Sequence, residues 1–567
     1  MSSTHGREEL VIEQASDSIA AQPESPVLFP EPLNPNENTL SNGELEDQAT
    51  RLPFIRLMAA YLCLCLCYFT SYLDMNSVTT ALPTISDALD AGNSITWAGT
   101  AYLLGQTAFQ PMYGRLSDIT GRKPILLASV FCIALGDLLC GFARSAHWLY
   151  LSRALSGIGG GGISSLVSII VSDLLSLKDR GKYQGMISLA IGAGGMTGPF
   201  IAASLTSYNQ GWRWAFWIPA CLASLCLGLL VFLLPLKPVT GKWEYKLRQI
   251  DWLGIAASIA GIVLLLVPIN SGGSLWPWRS ALTIPMIIIG GLCFIFFVFY
   301  EGYGASLPIM PWRLFRNRSR AILLTQGILH DFVWQSTLYF MPLYFQTVRG
   351  YTPLESATLI LPFIAAQSIA GASSGPIMSR LARYGPVLKT GFLVWTVGTG
   401  LKLVFSRTTP LPVYIVVLSI EGIGVGLVHQ PGLVALQALS KTEDRAVATS
   451  TRNLLRSLGG VAGVAISTAV QYAVTTSALT STIPPHLKNE IEQGRWKMND
   501  PETSIYDGTV LDARMRGFRI VFALLLPFMV LCSAGSFCVQ GKVLRGDVDQ
   551  SDERPAEEKQ AQPPVKR

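Results

Sequence analysis

The residues with the most chemistry to offer are an acid and a guanidinium set into apolar surroundings. Asp74, within Leu73-Asp74-Met75-Asn76-Ser77, lies in the outer part of an apolar run over residues 54–79. A carboxylate at membrane depth must be paired, protonated or in contact with water, so it is a proton-handling group by default. Arg153 sits about a turn into another run, 148–171, which reads as crossing in the opposite direction and brings it to a comparable depth. A guanidinium does not shed its proton, so its work is to hold or release a partner acid as that acid's protonation changes. Whether the two touch depends on packing that the sequence does not state. A third constellation, Gly114-Arg115-Leu116-Ser117-Asp118-Ile119-Thr120-Gly121-Arg122-Lys123, reads as a charged hairpin between two apolar runs. Its glycines permit a turn, and Asp118 is placed to pair with Arg115, Arg122 or a neighbouring helix end, which suits a hinge.

Such residues need a membrane around them, and composition supplies it. Of 567 residues, 50% are hydrophobic and 14% charged, with a mean hydropathy of +0.39. A soluble chain would need far more charge on its surface. Fourteen apolar runs lie between residues 54 and 540, each near the length that a helix needs to cross a bilayer. The net charge of +6 gathers in short clusters between the runs, so it is a topology signal and implies no nucleic acid. All ten cysteines fall in apolar segments, where they act as small hydrophobic packers. Residues 1–50, rich in Glu, Ser, Asn and Pro, read as a disordered cytoplasmic tail, and 541–567 as another. With so polar a stretch ahead of it, the first run is expected to serve as its own insertion signal.

Lysine and arginine set the orientation, because they collect in cytoplasmic loops. They cluster in every second connection, for example Arg115, Arg122 and Lys123, then Lys178, Arg180 and Lys182, then Arg313, Arg316, Arg318 and Arg320. The alternate connections hold little beyond Arg144, Arg279, Arg349 and Arg407. Both termini therefore face the cytoplasm, and 475–517 is an external loop. Asn317-Arg318-Ser319 matches a glycosylation sequon but falls on the cytoplasmic side. Three motif pairs recur at one offset of about 265 residues: Asp179-Arg180 with Asp444-Arg445, Gly157-Ile158-Gly159 with Gly422-Ile423-Gly424, and Gly194-Gly195 with Gly459-Gly460. The expected architecture is all-α: six-helix bundles over 51–236 and 321–540, two inserted helices within 237–320, and a central cavity.

The hairpin resembles the loop signature of the major facilitator superfamily, glycine-x-leucine-x-aspartate followed by glycine-arginine-lysine, where the loop between spans two and three is a cytoplasmic gate. Arg153 through Gly162 resembles that superfamily's span-four signature, an arginine followed at four residues by glycine, associated with proton coupling. Gly194, Gly198 and Pro199 resemble the antiporter signature glycine-x-x-x-glycine-proline. The sequence departs from it at Ala202-Ala203, where the pattern ends in two glycines. Over residues 54–540 the chain resembles the fourteen-span drug:proton antiporter family, especially its fungal multidrug and toxin exporters. That resemblance implies the major facilitator fold, proton coupling by Asp74 and Arg153, and a gate of Gly114, Asp118, Gly121, Arg122 and Lys123. It further implies export of small amphipathic organic compounds, such as drugs, toxins or secondary metabolites, in exchange for protons, by a monomer in the plasma membrane. Gly157–Gly162, Ser172-Asp173-Leu174 and Arg180–Gly185 also resemble vacuolar basic amino acid transporters, which keeps the vacuolar membrane open as a location. A membrane sensor that binds ligand without moving it is a third reading, although its short tails show no amphipathic periodicity.

The cavity would draw on Gln106, Gln110, His330, Asp331, Trp334, Gln367, Glu421 and Gln430, a mixture of aromatic faces and adaptable hydrogen bonds. Asp137, in the outer part of the third run, is a further buried acid able to take a proton or a cation. No glycine-rich phosphate loop ends in Gly-Lys-Ser or Gly-Lys-Thr, no His/Cys cluster has metal-ligand spacing, and no serine nucleophile elbow occurs. The expectation is a transporter without cofactor or metal, and no enzyme.

Overall fold

Backbone in hydrocarbon must satisfy its hydrogen bonds internally, and helices do so segment by segment. The computed structural model has helices and no strands among the residues it describes, which are 53–91, 94–95, 97–206, 210–236, 248, 250–271, 279–305, 307–479, 484 and 504–541. The tails expected over 1–50 and 541–567 lie outside these residues apart from 541, as does most of the expected external loop. The first helices are α1 (Phe54–Leu89), α2 (Trp97–Phe109), α3 (Met112–Thr120), α4 (Arg122–Gly141), α5 (Ala146–Leu174), α6 (Leu177–Thr206) and α7 (Trp214–Leu233). A pair follows, α8 (Trp252–Ser271) and α9 (Thr283–Tyr303). The last are α10 (Arg318–Thr347), α11 (Pro353–Leu381), α12 (Gly385–Leu401), α13 (Leu411–Leu439), α14 (Arg445–Ala478) and α15 (Asp507–Phe537).

Neighbours repeat. In the first set α1 packs on α6 and α7, α2 on α5, and α4 on α5 and α7; in the last set α10 packs on α14 and α15, α11 on α13, and α12 on α13 and α15. Each set buries its own apolar cluster. The sets meet where α6 lies along α11 and where α14 meets α3 and α5. The pair α8–α9 covers part of this seam: Ile262 and Leu266 of α8 pack with Ala108 of α2 and Leu454 of α14.

Twelve of the described helices are long and apolar enough to cross a membrane, two fewer than the crossings expected. One shortfall is the second run, which breaks at Gln110-Pro111 because proline carries no N–H for the ladder, leaving the 13-residue α2 and the 9-residue α3. The other is α10, whose Gln326, His330, Asp331 and Gln335 dilute its apolarity. The expected hairpin is corrected too. Residues 114–120 are helical, continuing α3, and the reversal falls on Gly121, whose φ of 104° suits glycine. Helices also outrun their apolar runs, α15 beginning at Asp507 and α1 reaching Leu89. Apolarity stops where hydrocarbon stops, whereas a helix continues until its caps. Such caps are specific: Asn317, the sequon residue, accepts from the N–H groups of Ser319 at 3.0 Å and Arg320 at 3.2 Å to start α10. Thr352 and Glu355 form a reciprocal capping box at the head of α11.

Candidate functional site

Close helix contact builds the deepest charged cluster. A Cβ on Gly157 of α5 would run into the carbonyl oxygen of Tyr102 on α2, and one on Gly198 of α6 would lie 2.8 Å from the Leu73 oxygen on α1. These small residues let α5 and α6 bring α1 and α2 close enough for side chains to meet in the interior. Arg153 Nη1 there lies 2.6 Å from Asp74 Oδ1 and 3.6 Å from Asp137 Oδ1. Its Nε donates to the Ala98 carbonyl at 3.2 Å, and its guanidinium carbon sits 4.6 Å from the centre of the Tyr102 ring. Ser156 Oγ donates to Asp137 Oδ1 at 2.6 Å. Asp74 and Asp137 are 0% exposed and Arg153 is 1% exposed. Asp74 Oδ2 and Asp137 Oδ2 have no hydrogen-bond donor from the protein, and both carboxyl groups approach the same guanidinium nitrogen, Arg153 Nη1. Two carboxylates against one guanidinium leave one negative charge in a dry site, a surplus that a single proton shared at the carboxyls removes.

The Gly114–Lys123 segment is a second charged cluster. Asp118 pairs with Arg122 at 2.5 Å and lies 3.7 Å from Arg115. Arg122 also reaches Asp173 of α5 at 3.0 Å, and Lys123 donates to the Val231 carbonyl of α7 at 2.8 Å. Gly114 touches the other set of helices, since a Cβ there would lie 2.7 Å from the Ala446 oxygen on α14. Arg115 donates twice to the Pro308 carbonyl, at 3.1 and 3.0 Å, which ties the segment to the connection between α9 and α10. Asp118→Ala frees one carboxylate contact while Arg122 keeps Asp173. The arrangement described should therefore lose ~1.5–3 kcal/mol, the worth of a hydrogen bond to a charged group, and, if the segment gates transport, turnover should fall by roughly tenfold with membrane insertion unchanged. Unchanged turnover in vesicles would remove Asp118 from the gate.

Gly194 and Gly198 lie against α1, with Pro199 next to them inside α6. On its other flank α6 meets α11, where a Cβ on Gly185 would lie 2.8 Å from the Gly371 oxygen. One helix of small residues thus contacts both the helix carrying Asp74 and the opposite set.

Between the sets lies a cavity of about 100 Å³. Gln106, Gln110, Asp331, Trp334 and Gln430 line it, together with Arg452 and Arg456. His330 stands behind Asp331, its Nδ1 2.8 Å from Asp331 Oδ1 and its ring edge-on to Trp395. Gln367 is also one layer back, accepting from Trp334 Nε1 at 3.0 Å. Glu421 lies elsewhere, in an ion pair with Lys402 at 2.8 Å, where both residues are 0% exposed. Thr337, Thr399 and Trp395 donate to the same Glu421 oxygen. Among the described residues, no group of three or more His, Cys, Asp and Glu side chains could hold a metal ion.

Sequence reasoning passed over Lys402, His429, Arg452 and Arg456, and set Asp137 apart from Arg153. The repeat held a usable signal: its offset maps Asp137 onto Lys402 and Ser156 onto Glu421, so the Ser156–Asp137 contact and the Lys402–Glu421 pair occupy equivalent places. Spacing held another, because Arg452 and Arg456 stand one turn apart on α14.

The profile of the Major Facilitator Superfamily matches residues 64–464. The chain is 37% identical over 537 residues to Citrate exporter 1 of Yarrowia lipolytica, covering 93% of this chain and 79% of that one. It is 34% identical over 443 residues to Efflux pump dotC of Dothistroma septosporum, covering 78% and 75%. The proton:xylose symporter XylE superposes with a TM-score of 0.58 at 13% identity, covering 87% of this chain and 98% of that one, a likeness of fold. With that profile match, those relatives and helices long and apolar enough to cross a membrane, the chain belongs to the major facilitator superfamily and is a multi-pass membrane transporter.

Proposed function

We propose that this transporter is a proton-coupled exporter of small organic compounds that works by alternating access. The observation that carries it is the surplus carboxylate beside Arg153: a buried site with two acids and one permanent cation is at charge balance when it holds one proton. Asp74 keeps the short contact to Arg153, and Asp137, 3.6 Å away and held by Ser156, is the carboxyl that takes and gives the proton. Loss of that proton tightens the hold of the acids on Arg153, and its return relaxes it. Because the three residues sit on α1, α4 and α5, the change reaches helices that pack on α6 and α2. The Gly114–Lys123 segment, with Gly114 against Ala446 of α14, serves in this reading as the gate between the two sets.

In this reading the chain crosses the bilayer fourteen times, α2–α3 and α10 joining the twelve more apolar helices. Residues 51–236 and 321–540 move against each other, and α8–α9 travels with the seam. The relatives' names, a citrate exporter and an efflux pump, support outward movement of small organic solutes, and in this reading a monomer in the plasma membrane is the working unit. The test is export from cells expressing Asp74→Asn or Asp137→Asn. Each variant should insert normally and lose at least about tenfold in proton-driven export, the scale of one charged contact in the interior. Full proton-dependent export by both variants would refute the coupling.

A further inference from the structure

We propose that the cavity between the two sets of helices binds an organic acid as its carboxylate, with Arg452 as the anchor. The proposal names the substrate class of the exporter described above and rests on that reading. Asp331 of α10 is the acid among the lining residues, and it is already engaged: Arg456 donates to it from Nε at 2.9 Å and Nη2 at 2.7 Å, and His330 approaches at 2.8 Å. The other titratable groups facing the space are Tyr68 and Tyr72 of α1, His429 of α13, and Arg452 of α14. With the histidines neutral, Arg452 is the charge left over.

Its surroundings are unusual for a guanidinium. Arg452 is 5% exposed, and among the described residues it makes one hydrogen bond, from Nη2 to the His429 carbonyl at 2.8 Å, and no ion pair. The rest of its planar fork has no acceptor from the protein. A permanent cation held out of bulk water without a counter-charge is costly, and a carboxylate that fits the fork through two parallel N–H bonds resolves the cost.

The neighbours define the remainder of the ligand. Gln430, 3% exposed, lines the same space with an Oε1 that has no donor, an acceptor for a ligand hydroxyl. Trp334, held by Gln367, adds an aromatic face. One anionic head with a neutral polar or aromatic body is the chemistry that this lining matches. The cavity of about 100 Å³ is small beside the ~300–1,000 Å³ of pockets for drug-sized ligands, which favours a compact acid.

The test is binding to the purified full-length protein in nanodiscs, followed by calorimetry, with citrate and phenylacetate as acids and phenylacetamide as the neutral control. At least one acid should bind and the amide should not; citrate binding identifies a polyhydroxy or polycarboxylic body, and phenylacetate an aromatic one. Arg452→Gln should weaken acid binding roughly tenfold or more, since charged hydrogen bonds are lost, and Arg452→Lys should retain part of it as a point charge without the fork. Unliganded Arg452→Gln should melt no lower than wild type, because an unbalanced charge has been removed, whereas a merely structural arginine would lower the melting point. Acid binding that survives Arg452→Gln, or amide binding as tight as acid binding, would overturn the site. Proton-driven flux of a neutral solute without acid binding would overturn it and leave the exporter standing; acid binding without any proton-driven flux would do the reverse.

Discussion

Arg153→Gln should abolish proton-driven transport and lower the melting temperature of the purified protein by several degrees. The guanidinium is the sole cation in contact with Asp74 and Asp137 among the described residues, and neither acid has measurable exposure. Removing one partner of a buried ion pair costs about 3–5 kcal/mol, because the remaining charge is left without compensation. The acids can escape part of that penalty by binding protons, so the deficit relative to wild type should shrink as pH falls and widen as pH rises. Differential scanning fluorimetry from acid to neutral pH reads this directly. Arg153→Lys restores charge without the planar contact over Tyr102 and the bond to the Ala98 carbonyl, and should recover stability better than transport. A pH-independent deficit in Arg153→Gln would mean that packing alone had been disturbed.

Lys402→Met is the other large effect. It strands Glu421 in a site of zero exposure where three side-chain donors already converge on one oxygen and the second oxygen has none. The expected loss is again about 3–5 kcal/mol. Adding Glu421→Gln should return most of it, since a neutral amide keeps an acceptor for Thr337, Trp395 and Thr399 without a buried charge. The double variant should also transport normally, because the pair ties α12 to α13 away from the cavity. Chemical denaturation of the two single variants and the double variant gives the coupling; additive losses would show that Lys402 and Glu421 act separately.

Much of this could be read from sequence because depth and sign of charge are one-dimensional. The apolar runs put Asp74 and Arg153 at one level, and the repeat predicted which helices would have matching neighbours. Rotation of a helix about its axis is not one-dimensional, which is why Asp137 seemed a separate acid and why Glu421 was expected at the cavity instead of against Lys402. Long side chains hid further partners: Lys402, at the end of α12, folds inward to reach α13. The two arginines of α14 were obscured by the adjacent Asp444-Arg445 motif, which reads as a loop signal. The hairpin was mistaken for a loop because its charges suggest water, yet α3 and the start of α4 keep those charges helical, with Arg115, Asp118 and Arg122 buried and Gly121 reversing the chain.

Protons can be followed directly. In proteoliposomes with a pH-sensitive dye trapped inside and no imposed gradient, adding an exported solute outside should drive it inward and protons outward, so the lumen turns alkaline in step with uptake of the labelled solute. Asp137→Asn should exchange labelled for unlabelled solute across the same membranes while the lumen pH stays flat. Alkalinisation in Asp137→Asn equal to wild type, or wild-type solute uptake with no change in lumen pH, would contradict a proton carried at the Asp74–Asp137–Arg153 cluster.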